Sequence, residues 1–159
     1  MIRTNKKRFI ILLVVLIMLT ILFIFSRSLP GIEQSEKESI KVQEIVEPIL
    51  EPVVGEDNVT NHLVRKLAHV TEFMVLGVEL SVLSLLIGRR SIGYTVLAAV
   101  STALCDETIQ LFSKRGSQVQ DVWLDISGAL LGAILVLLAL YFYKLIIYVR
   151  KRNKPTKKL

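Results

Sequence analysis

Arg65, Lys66, His69 and Glu72 fall inside one membrane-length apolar stretch of this chain, and Asp106, Glu107 and Gln110 fall inside another. Ionisable groups at that depth cost free energy, so they are functional candidates by default. Arg65, His69, Glu72 and Glu79 are separated by four, three and seven residues, which places them on one stripe of a helix. Gln110 is four residues from Asp106 and three from Glu107; it lies between the two, although adjacent acids point different ways. A short polar connection then supplies Lys114, Arg115 and Asp121, with Asp125 one turn further on.

Such a set supports two kinds of chemistry. Arg65, Lys66 and Arg115 can hold a phosphate or carboxylate through charged, sometimes bidentate hydrogen bonds, with Gln110, Asp121 and Asp125 completing the binding candidates. His69, whose side-chain type titrates near neutrality, can exchange a proton with Glu72, Asp106 or Glu107, and these four are the catalytic candidates. The oxygen-rich acids would also suit Mg²⁺ or Mn²⁺. Ligand-spaced cysteines are absent, and the other histidine, His62, reads as an interfacial residue ahead of the helix. No metal ligand set and no cofactor is therefore assigned.

The elements that position these residues follow from composition. At 159 residues and 52% hydrophobic, with a mean hydropathy of +0.55, the chain is too apolar for an ordinary soluble domain. Four apolar runs, 9–25, 63–87, 92–112 and 123–143, are each near the length a bilayer-spanning helix needs. In lipid the backbone must satisfy itself, and the runs lack the alternation of barrel strands. The expected architecture is an all-α integral membrane protein with four transmembrane helices. A basic segment (1–8) leads into the first span, which reads as a retained anchor because no Ala-x-Ala-like cleavage site follows it.

Loop charge sets the orientation. Arg3, Lys6, Lys7 and Arg8 precede the first helix, Arg89 and Arg90 separate the second and third, and a basic tail (144–159) follows the fourth; cytoplasmic segments collect Lys and Arg. Both termini are thus expected in the cytoplasm. The first loop (26–62) carries eight acids against Arg27, Lys37 and Lys41 and is expected outside, with Ile45, Val46, Ile49 and Leu50 able to form a short amphipathic helix. A three-helix core (63–143) brings Arg65, Glu72, Asp106 and Arg115 to one outer layer, Glu72 lying about 10 Å deeper than Arg65. The net charge of +6 then reflects topology and attraction to anionic lipid, so membrane lipids rather than nucleic acid are the expected partners.

Other features carry less. Asp121, Asp125, Gly128 and Gly132 form a stripe, and Gly128-x-x-x-Gly132 is a spacing that lets membrane helices approach closely. Cys105 is the one cysteine, which excludes an intramolecular disulfide and reads as a small packed side chain. Glu79 lies deeper than the other acids, either as a proton-linked residue or as a partner across the bundle. Lys144 is expected to snorkel. Glycine-rich phosphate loops, nucleophile elbows and zinc signatures are absent.

Three segments together resemble the VanZ family of membrane proteins, whose pattern is R-K-x-x-H-x-x-E-[YF], then D-E-x-x-Q, then Arg and Asp in the following loop. Here they read Arg65-Lys66-Leu67-Ala68-His69-Val70-Thr71-Glu72-Phe73, Asp106-Glu107-Thr108-Ile109-Gln110, and Arg115 followed by Asp121 and Asp125. One departure is Asp125, where the family more often has Asn. The resemblance implies a bacterial cell membrane and an accessory role in susceptibility to the glycopeptide teicoplanin, and it supplies no mechanism. One reading is an accessory factor whose polar site takes the anionic headgroup of an envelope lipid or cell-wall precursor. The alternative is a membrane-embedded enzyme or ion-coupled carrier acting on a lipid-linked envelope substrate. The competing structural account is an ion-pair network that only holds the helices together; the number of charges in one layer exceeds what packing requires.

Overall fold

The computed structural model describes residues 2–55, 58–88, 92–113 and 118–152, which form α1 (Ile2–Ser28), α2 (Ile32–Val54), α3 (Asn61–Leu86), α4 (Ile92–Phe112) and α5 (Val119–Arg152). The described residues contain no strand. Four of the helices, α1, α3, α4 and α5, are long and apolar enough to cross a membrane. Their boundaries exceed the apolar runs because a helix does not end where its side chains become polar. At 1.5 Å per residue the 34 residues of α5 reach about 51 Å, well beyond a hydrocarbon core of about 30 Å. Lys144 therefore stands on a helix that continues past the bilayer.

α3 is the hub, touching each of the other four helices. Its start is fixed by Thr60, whose hydroxyl accepts the Leu63 N–H at 3.2 Å, a cap that satisfies one of the helix's orphan donors. Gly88, at φ 80°, turns the chain after it. α1 and α4 run against α3, and α5 runs with it. Ile24, Phe73, Leu76, Ala99 and Ala103 make the apolar centre.

The tightest seam is between α3 and α5. A Cβ on Gly128 would stand 2.5 Å from the Val70 carbonyl oxygen, and one on Gly132 or Gly77 would run into the Met74 or Ala129 carbonyl. These three glycines allow backbone-to-backbone contact, which is how helices associate where lipid offers no hydrophobic drive. One depth further in from the polar end, Thr20 of α1 donates to Glu79 Oε1 at 3.0 Å. Glu79 is thus a partner across the bundle.

The acidic first loop is mostly helix. α2 contains Pro48 and Pro52, each lacking an N–H for the carbonyl four residues back. Both prolines are exposed and lie on one face, where water can take the freed carbonyls. Gln43 Nε2 donates to the Val59 carbonyl at 2.7 Å, tying α2 to the chain that enters α3. Val42, Ile45, Ile49 and Val53 form an exposed apolar stripe.

Cys105 corrects an expectation. It is exposed rather than packed, because the buried face of α4 is set by Thr95, Ala99, Thr102, Ala103, Asp106 and Gln110 and Cys105 falls on the opposite side.

Candidate functional site

The first turns of α3 and α5 and the last turns of α4 meet at one end of the bundle, and their polar side chains converge there. His69 stands between two fully buried carboxylates: its Nδ1 is 3.8 Å from Asp106 Oδ2 on α4 and 3.6 Å from Asp125 Oδ1 on α5. Gln110 Nε2 donates to Asp106 Oδ2 at 2.8 Å, one turn along the same helix. The two adjacent acids of α4 divide their duties. Asp106 turns toward His69, whereas Glu107 accepts the backbone N–H of Gln118 at 3.2 Å, beside the start of α5.

Lys66 Nζ pairs with Asp121 Oδ1 at 3.3 Å, both side chains being about a quarter to a third exposed. A pair that wet contributes at most about 1 kcal/mol. Arg65, one residue earlier and half-buried, has no carboxylate within ion-pairing distance among the described residues. Several buried oxygens also lack a hydrogen-bond donor: Glu72 Oε2, Asp106 Oδ1 and both oxygens of Asp125. Native interiors leave few such atoms.

Two small cavities open beside these groups. One, of about 40 Å³, lies among Arg65, Lys66 and His69 of α3, Glu107 and Gln110 of α4, and Asp121 and Asp125 of α5. That is room for about two or three waters or an ion, not for a whole headgroup. His62, expected ahead of the helix, is the second residue of α3 and sits at the rim of this cavity. The other, of about 50 Å³, is lined by Arg27 of α1, Ser39 and Val42 of α2, and Arg65, His69 and Glu72 of α3. Arg65 and His69 line both.

The structure thus brings together Arg65, Lys66, His69, Glu107, Gln110, Asp121 and Asp125 around one cavity, with Asp106 behind His69 and Glu72 on the far side. Arg115 and Lys114 lie outside the described residues. The sequence reading missed Arg27, which it placed in the loop. A signal was present: Thr20, Ile24 and Arg27 are spaced by four and three residues, so Arg27 continues the face of α1 that Thr20 and Ile24 turn inward. Chemically, a guanidinium with no carboxylate partner among the described residues, lining the same cavities as a His between carboxylates, can bind an anion, pass a proton or, with the carboxylates, hold a cation.

A family model described as VanZ/LLP1 matches residues 9–141. Comparison with curated proteins and with solved structures returns no match.

Proposed function

The chain belongs to the VanZ/LLP1 family of membrane proteins, and from that premise we propose that it is an accessory factor at the outer face of a bacterial cell membrane. Its polar end binds the anionic headgroup of an envelope lipid or lipid-linked cell-wall precursor and so influences glycopeptide susceptibility, teicoplanin in particular. The observation that carries this reading is Arg65: a half-buried guanidinium at a cavity mouth, with no carboxylate partner among the described residues. Its planar fork matches a phosphate or carboxylate bidentately. Lys66 adds a second cation at small cost, since its pair with Asp121 is partly exposed to water. Arg115, in the connection between α4 and α5, supplies the third.

The outward orientation is supported by charge. Bases gather before α1, between α3 and α4 and at the end of α5, whereas the α1–α3 connection is rich in Glu. Both termini then face the cytoplasm and the polar end faces out.

A second reading, a membrane-embedded enzyme or ion-coupled carrier for a lipid-linked envelope substrate, is favoured by one observation, the placement of His69 between Asp106 and Asp125. Outer-leaflet lipids and precursors are profiled in cells with and without the protein. A new chemical species supports the enzyme; unchanged species with altered teicoplanin binding support the accessory role. The site itself is tested by Arg65→Lys. An anion site that needs the fork loses protection at normal abundance and stability, whereas an ordinary interfacial charge tolerates Lys within about 1 kcal/mol. Loss of protection in proportion to loss of stability would make the cluster scaffold.

A further inference from the structure

We infer that His69, Asp106 and Asp125 form a site for one first-row divalent metal ion, with Mn²⁺ the best match to their donor set. One ligand atom from each lies within 4.8 Å of the others. The two separations from His69 Nδ1, 3.6 and 3.8 Å, are too long for hydrogen bonds. On a six-coordinate ion, donors each about 2.1–2.2 Å from the metal stand about 3.0 Å apart when adjacent and about 4.3 Å apart when opposite, and both separations fall between those values. Both are ion-pairing distances, and an ion shared by the three side chains would hold them at a similar spacing.

Charge points the same way. Asp106 and Asp125 are both 0% exposed. Neither oxygen of Asp125 has a hydrogen-bond donor, and Oδ1 of Asp106 has none. Carboxylates stripped of water and donors are strongly destabilising unless a cation compensates them. His69 can bring at most one positive charge against two negative ones. Lys66 pairs with Asp121, Arg65 lines the same cavity as Asp125 but lies within ion-pairing distance of neither buried carboxylate, and Arg27 lines the other cavity. A divalent ion closes the balance. One imidazole with two carboxylates and no thiolate suits Mn²⁺ better than a soft metal or Ca²⁺, and the adjoining cavity of about 40 Å³ leaves room for about two or three waters to complete the coordination. Gln110, donating to Oδ2 of Asp106, orients that carboxylate as a supporting hydrogen bond typically does at a metal site.

The inference extends beyond anion binding and is tested apart from it. Protein purified in maltoside detergent, stripped with EDTA and supplied with no lipid headgroup, is titrated with Mn²⁺ while the free ion is followed by electron paramagnetic resonance. The expected result is one saturable Mn²⁺ per chain, with pulsed spectra showing coupling to a single imidazole nitrogen. Loss of a mere supporting hydrogen bond costs about 10–100-fold in metal affinity, so Asp125→Asn must cost at least about tenfold, while Glu79→Gln leaves affinity unchanged. If Asp125→Asn does not fold, His69→Gln and the nitrogen coupling of the wild-type chain decide the matter. No saturable site, no nitrogen coupling, or equal affinity in Asp125→Asn overturns the assignment. Because the assay contains no phosphate or lipid anion, Arg65→Lys can fail its own test while the metal site stands, and the reverse.

Discussion

Gly128→Ala reaches both the packing and the site with one methyl group. Its Cβ would lie 2.5 Å from the Val70 carbonyl oxygen, and ordinary contact begins at 3.4 Å, so α3 and α5 must separate locally by about 0.9 Å. The atoms being pushed are backbone, which cannot rotate away. Val70 directly follows His69, and Gly128 is three residues beyond Asp125, so the same displacement lengthens the 3.6 Å His69–Asp125 separation past 4 Å. Overpacking costs about 1–3 kcal/mol, and because the atoms pushed are backbone the upper part of that range, about 2–3 kcal/mol, applies here, while the better helix propensity of Ala returns about 1 kcal/mol. The net expectation is a loss of about 1–2 kcal/mol, or roughly 2–8 °C in Tm for a chain of this size. Gly132→Ala should be worse, because its Cβ meets both the Met74 carbonyl and the Val78 amide. Ser127→Ala is the control: its side chain is exposed and only bonds its own helix at the Leu124 carbonyl, so its effect should stay within about 0.5 kcal/mol. Thermal unfolding in detergent by circular dichroism ranks the three. A Gly128→Ala protein that melts at or above the wild-type temperature would refute the backbone-contact reasoning, and with it the link between the glycine seam and the site.

Among the described residues Thr20 is the one donor to Glu79, a residue 7% exposed whose Oε2 already lacks a partner, so Thr20→Val should cost about 1–3 kcal/mol in the same melt, and Thr20→Ser should retain most of the stability. Adding Glu79→Leu to Thr20→Val should recover part of the loss, since the stranded carboxyl is gone, and simple additivity would show that the two residues do not interact. Orientation is read with an impermeant maleimide in a Cys105→Ser background, needed because Cys105 is exposed. Glu44→Cys on the exposed side of α2 should label in intact cells, and Arg150→Cys near the end of α5 only after permeabilisation. Labelling in the opposite order would place the polar end in the cytoplasm and remove the proposed encounter with glycopeptides. Ser39 would be a poor probe position for this purpose, being buried against the bundle.

The spans were legible because hydropathy reports which segments can live in lipid, and the inward stripe of α3 was legible because helical periodicity fixes which residues share a face. His69, Glu72 and Glu79 indeed turn inward. Periodicity does not fix how a helix is rotated against its neighbours. That is why the division between Asp106, facing His69, and Glu107, facing Gln118, had to come from the structure. The same holds for Arg27, a boundary charge by hydropathy that α1 delivers to the cavity below Glu72. Pro48 and Pro52 concealed the length of α2, since the cost of a proline depends on whether the freed carbonyl reaches water. Cys105 was misjudged for a related reason: in a membrane protein the outward face is as apolar as the interior, so a small apolar side chain gives no sign of which way it points.

The glycine seam and the acidic pocket are best understood as one arrangement. Close backbone contact along Val70, Met74 and Gly77 against Gly128, Ala129 and Gly132 closes the α3–α5 seam on one side of Asp125, one turn above, which is 0% exposed and faces a small cavity on the other. Buried in this way a carboxylate destabilises the fold unless something compensates it, and an apolar residue of similar size would pack at no such cost. A bundle meant only to cohere would need the glycines and not the acids. The glycine contacts supply close packing of α3 on α5 without the polar residues, so the charges of His69, Asp106 and Asp125 exceed what that packing needs and can serve a proton, a cation or a bound headgroup.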